Sequence, residues 1–313
     1  MNEHTVTNIA ASVLQRLYNR ARERGDDYNL LLSRYAVERL LYRLSLSRHR
    51  GGFILKGAQL YALWGNTDYR PTRDLDLLGL GDPRVSALEE IFHAIATQPI
   101  PMADGIVFDP AHVRGEAIRE DARYVGVRMM LAYHIGRARG SVQVDIGFGD
   151  VVSPAPREME FPTLLDLPAP RLNTYPPETV IAEKFEAMVT LGMANSRMKD
   201  FYDLYMLART FTFEGQHLRH AIQATFDRRQ TPLPTDIPLA FTTEFAHDPT
   251  KQTQWQAFLR KLQIADRAPA LADVIDLLIK FVWPVAMAAQ GGQDFAQAWD
   301  IQARAWMAHG IDG

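Results

Sequence analysis

Asp74 and Asp76 stand two residues apart in Asp-Leu-Asp-Leu-Leu, whose alternation predicts a strand over residues 74–78. Side chains at i and i+2 of a strand point to one face. Two carboxylates converging on one point repel unless a cation lies there. Asp145, in Val144-Asp145-Ile146, is a third carboxylate in an apolar stretch and can join the pair from a neighbouring strand. Such oxygen ligands suit magnesium or manganese, which takes only a few protein carboxylates. One chemistry such a centre serves is nucleotidyl transfer from a nucleoside triphosphate (NTP). Two metal ions roughly 4 Å apart can clamp the attacking and leaving oxygens.

Upstream, Lys56-Gly57-Ala58 turns the chain between an apolar stretch, Phe53-Ile54-Leu55, and a helical pattern over residues 59–64. Small residues let backbone N–H groups approach phosphate, and a helix start attracts anions. Lys56 adds a point charge. Each piece alone is common. Their order (strand, small-residue turn, helix, Asp-x-Asp strand, later single-Asp strand) is that of a minimal nucleotidyltransferase core.

A second cluster lies further on. Lys184 sits on a predicted amphipathic helix with Ile181, Phe185 and Met188 on its apolar face. In Arg197-Met198-Lys199-Asp200-Phe201-Tyr202-Asp203, Lys199 and Asp203 are i,i+4 neighbours. Spacing alone favours ordinary ion pairs on a solvated face. Asp200 also suits the start of a helix, where a carboxylate complements the dipole.

The elements that must hold these groups follow the hydrophobic period. Two helices precede residue 46, broken at Arg24-Gly25-Asp26-Asp27. A helix is expected over 85–97, and strands over 122–134 and 141–148. This makes the first half an α+β lobe with a small mixed sheet. The proline-rich stretch 154–177 reads as a connection. Helices follow over 178–191, 199–210, 214–226, 252–262, 271–282 and 293–309. Two domains result, 1–165 and 166–313. No function is assigned to residues 287–313.

Bulk properties narrow the classes. There is no cysteine among 313 residues, which removes thiolate metal sites and disulfides and fits a cytoplasmic protein. A net charge of −3 excludes a uniformly basic nucleic-acid coat. The apolar stretch 274–289 is interrupted by Asp276, Lys280 and Pro284, so no membrane span is expected. Two basic clusters, one of Arg16, Arg20, Arg22 and Arg24, the other of Arg43, Arg48, His49 and Arg50, suit an RNA backbone or a solvated helix face. Arg228-Arg229 reads in the same way.

Taken together, residues 8–19, 31–44 and 53–58, the string Arg70-Pro71-Thr72-Arg73-Asp74-Leu75-Asp76-Leu77, residues 182–188 and residues 197–204 resemble the AbiEii/AbiGii-type nucleotidyltransferase toxins. The resemblance spans roughly residues 8–285. It implies a polymerase-β-like nucleotidyltransferase lobe followed by a helical lobe that completes the active site. It further implies transfer from NTP to RNA, expected at the tRNA acceptor end, and a toxin of a toxin–antitoxin or phage-defence pair. A winged-helix antitoxin would be the protein partner. By position, Asp74 and Asp76 would hold magnesium, with Asp145 as the third carboxylate. Lys56, Gly57, Ala58 and Thr72 would face the nucleotide. Lys184 would bind the triphosphate, with Lys199 and Asp200 beside it, and Asp203 would complete the catalytic set. The wider superfamily often has Gly-Ser where this chain has Gly57-Ala58, which keeps the backbone cradle and loses a hydroxyl. Two other classes remain open: an aminoglycoside-like small-molecule nucleotidyltransferase, and a non-catalytic nucleotide-binding or interaction module.

Overall fold

The computed structural model describes residues 8–65, 72–121, 124–265 and 267–308. Arg70 and Pro71 of the motif above lie outside them. The chain divides into two compact units. One comprises residues 1–149 and 156–175, the other 150–155 and 176–313.

The first unit begins with α1 (Ile9–Arg24) and α2 (Tyr28–Leu46). Asn8 and Asp27 cap their starts, each side chain accepting from a backbone N–H three residues on, at 3.0 and 2.7 Å. Gly25 ends α1 in the left-handed conformation at φ +71°. After α2 come β1 (Phe53–Lys56), a tight turn at Gly57–Gln59, and α3 (Leu60–Leu63). Next are β2 (Leu75–Gly79), α4 (Val85–Ala96), β3 (Ile106–Asp121), β4 (Tyr124–Ile135) and β5 (Ala138–Phe148). Two short strands, β6 (Arg157–Glu160) and β7 (Arg171–Thr174), complete the unit. They lie in the stretch expected to be a plain connection, and they extend the sheet.

Among the described residues the strands form one seven-stranded sheet in the order β3-β4-β5-β2-β1-β7-β6. It is mixed: β2 runs parallel to β5 and β1 parallel to β7, while the other neighbours are antiparallel. Leu55, Leu77, Met129, Val144 and Ile146 are all buried on it. The α+β expectation therefore holds, with a larger sheet than expected.

Helix α2 is buried on nearly all sides from Tyr35 to Leu44, so its charged residues need partners. Arg43, expected in a basic surface cluster, is instead internal. Its guanidinium donates to both oxygens of Asp104 at 2.7 and 3.1 Å, and to the Ile106 carbonyl at 3.2 Å. Removing one partner leaves an uncompensated buried charge. Asp104→Ala is expected to cost about 3–5 kcal/mol of stability. Equilibrium denaturation measures this, and an unchanged midpoint would refute it.

The second unit contains α5 (Pro177–Leu191), α6 (Met198–Thr210), β8 (Phe213–Glu214), α7 (Gly215–Arg229), α8 (Thr243–His247), α9 (Pro249–Lys261) and α10 (Leu271–Gln290). Strands β9 (Gln297–Asp300) and β10 (Ala305–Ala308) follow. Residues 297–308 are thus a hairpin where a helix over 293–309 was expected, and His309 lies outside the described residues. Packing decides this. Trp299 is fully buried and donates to the Ala208 carbonyl at 2.6 Å, while Trp306 donates to that of Phe281 at 2.8 Å and stacks on its ring. Extended backbone lets two indoles reach α6 and α10. No helix among the described residues is long and apolar enough to cross a membrane.

Candidate active site

The sheet register assembles a row of charges. Asp76 on β2 lies opposite Lys56 on β1 and, on its other side, opposite Asp145 on β5. Asp145 in turn lies opposite Arg128 on β4. Residues in register on neighbouring strands share a face, so the row reads Arg128, Asp145, Asp76, Lys56. Two central carboxylates are flanked by two cations. Asp74 comes one residue before β2 begins, so the strand starts later than its sequence suggests. It is exposed, and its charge reaches the Arg128 guanidinium.

Gly57 fixes how closely β1 and β2 meet. Its φ is +71°, and a Cβ placed on it would lie 2.0 Å from Oδ2 of Asp76. Only glycine permits both the turn and the approach. Ala58 beside it is buried. Lys56 Nζ lies 5.3 Å from the centre of the Tyr175 ring, a cation–π distance that orients the ammonium.

Asp145 is already engaged. Arg128 grips it in a fork, with Nε and Nη2 at 2.8 and 2.9 Å, and Gln143 Nε2 donates at 3.1 Å. The hydrogen bonds to Asp145 raise the Arg128 pKa, more than offsetting burial, and the charges of Glu116 and Asp74 add to the effect. Asp145 therefore accepts from both Arg128 and Gln143 at the point where it lies in register with Asp76. Among the described residues no group of three or more His, Asp or Glu is arranged to hold a metal ion. Asp74 and Asp76 remain as two hard oxygen donors of the kind magnesium accepts alongside phosphate oxygens. Arg128 was missed from sequence. The available signal was one arginine inside the apolar run Val125-Gly126-Val127-Arg128-Met129-Met130-Leu131.

In the second unit, Lys184 on α5 donates to Asp200 at 2.5 Å and to Asp203 at 2.9 Å, both on α6. The expected helix-face ion pairs are thus an interior triad: Asp203 is 0% exposed and Asp200 5%. Burial pulls the Lys184 pKa down, and the two carboxylates more than reverse this. Burial pushes Asp200 up, and Lys184 outweighs it, holding Asp200 below the usual range. Lys199 is exposed on α6. Thr72 contacts the Asp74 backbone, its hydroxyl 3.5 Å from that carbonyl.

The same α5 motif has a second job. Glu183 and Glu186, one turn apart, face Arg229 of α7 at 3.8 and 2.8 Å, and Asp150 joins at 3.2 Å. Arg229 is therefore not the solvated basic residue its neighbour Arg228 suggested. Thr231 and Thr190 also donate to Glu186, at 2.6 and 2.8 Å.

A nucleotidyltransferase is the class these features describe, and comparison with known families makes it specific. The model of the family described as nucleotidyl transferase AbiEii toxin, type IV toxin–antitoxin system, matches residues 39–277. That is well over half of the chain, and the chain belongs to this family. A cognate antitoxin is thereby implied. Among solved structures, JHP933 from Helicobacter pylori is 14% identical, with 85% of this chain and 94% of that one covered at a TM-score of 0.47. A second H. pylori protein, described as a candidate nucleotidyltransferase, is 13% identical, with 85% and 96% covered and a TM-score of 0.45. No curated protein matches the sequence significantly.

Proposed function

We propose that the chain is a metal-dependent toxin that transfers nucleotides from NTP to RNA, with the tRNA acceptor end as the expected target. The observation that carries this is the charge row Lys56–Asp76–Asp145–Arg128 with Gly57 closed against Asp76. In the reaction the acceptor hydroxyl oxygen bonds to the α-phosphorus, the bond to the bridging oxygen breaks, and pyrophosphate leaves. The hydroxyl proton passes to solvent. Asp74 and Asp76 would hold magnesium or manganese, which supplies charge neutralisation at the phosphoryl group. Lys56 and the backbone N–H groups of Gly57 and Ala58 bind phosphate oxygens. Asp145, gripped by Arg128 and in register with Asp76, would be the third carboxylate at the metal. Lys184, set by Asp200 and Asp203, binds the triphosphate, with Lys199 as an outer cation. The protein partner is the antitoxin, for which a winged-helix architecture is expected.

Asp74→Ala tests the role of the metal pair. Expressed at the wild-type level, it is expected to abolish growth inhibition in bacteria lacking the antitoxin, while its circular dichroism and melting temperature match the wild type. Undiminished toxicity of a folded Asp74→Ala would refute the catalytic reading.

A further inference from the structure

The first unit contains a cavity of about 500 Å³ lined by α1, α2, the turn after β1 and residues 161–164. Arg20, Arg24 and Arg34 all line it, against the acids Asp26 and Glu38. Arg34 donates no hydrogen bond and forms no ion pair among the described residues, although it is half-buried. Burial lowers its pKa; Asp26 partly opposes this, while Arg20 and Arg24 repel it. Arg20 donates to the Leu164 carbonyl at 2.5 Å, yet its Nε is buried with no acceptor. Three convergent guanidiniums with spare donors match the geometry of a phosphate. The volume suits a ligand of nucleotide size, and Tyr61 and Phe161 supply apolar wall for a ring.

The cavity also borders the backbone of Asp74. Gln59 and Thr72 line it, and both contact the Asp74 backbone carbonyl, at 3.2 and 3.5 Å. We infer that this cavity binds one nucleotide unit, its phosphate held by Arg20, Arg24 and Arg34, beside the nucleotidyl-transfer centre. Nucleotide as the ligand class rests on the function proposed above; an anion site does not. Its source is either a unit of the accepting strand or the donor triphosphate.

Calorimetry on the full chain without metal tests this, using nucleoside 5′-monophosphates, the matching nucleosides, ATP, and a short single-stranded RNA with a free 3′-hydroxyl. Monophosphates are expected to bind, nucleosides to bind much more weakly, and Arg34→Gln to weaken monophosphate binding about tenfold, as loss of a charge-assisted contact predicts. If Arg34→Gln fails to fold, Arg24→Gln at the exposed rim provides the same test. Loss of RNA binding with ATP binding retained assigns the cavity to the strand, and the reverse assigns it to the donor; both support it. Equal binding of nucleoside and monophosphate, or wild-type affinity for every probe in both variants, overturns it. If Arg34-dependent phosphate binding persists in a protein that transfers no nucleotide, the proposed reaction fails and the anion site stands.

Discussion

Gly57→Ala is expected to lower nucleotide transfer about a hundredfold or more while the protein stays folded. The added methyl meets Asp76 Oδ2 at 2.0 Å, so the carboxylate must swing away or the strands must part. Displacing a reacting group by about 1 Å costs on the order of a hundredfold. The strain of an alanine at positive φ adds only about 1–2 kcal/mol to the folded state, which a two-unit chain with this much buried core can absorb. Measuring the turnover number beside the denaturation midpoint separates the two effects. Near-normal turnover in Gly57→Ala would show that the position of Asp76 is not critical.

Lys184→Met is expected to destabilise the second unit by about 3–5 kcal/mol, because Asp200 and Asp203 both lose the buried ammonium they accept from. Adding Asp200→Asn and Asp203→Asn removes the two buried negative charges and should restore part of the stability, the remaining cost being that of two buried amides. It should not restore affinity for the triphosphate if Lys184 touches it. Calorimetry with ATP on the stabilised triple variant decides this, and wild-type affinity there would reduce Lys184 to a structural role. The triad also carries a pH signature. Asp200 is held below its ordinary 3.8, so its contribution is complete above about pH 4 and is lost as the pH falls further.

Much of this site was legible in the chain because its residues are short-range patterns. Asp74, Asp76, Lys56 and Gly57 sit in a strand–turn–helix–strand order that local spacing reveals. What spacing could not reveal was register. Arg128 faces Asp145 only because β4 and β5 pair as they do, and Lys184 meets Asp200 and Asp203 only because α5 packs on α6. From the linear chain, Asp203 looked like a partner for Lys199. Strand β3 went unseen for a different reason. It lies at the sheet edge, carries Pro110 and Gly115, and shifts register between Phe108 and Val113, so its alternation is broken. The final hairpin departs from the expected helix because burial of Trp299 and stacking of Trp306 on Phe281 override local propensity.

The most direct test of the central claim is to incubate the purified protein with magnesium, total bacterial tRNA and each of the four labelled triphosphates in turn, and to separate the products on a denaturing gel. Label is expected on tRNA with at least one donor, and none with the folded Asp74→Ala protein. Label that persists in Asp74→Ala, or no transfer from any donor to tRNA or other RNA, would contradict it.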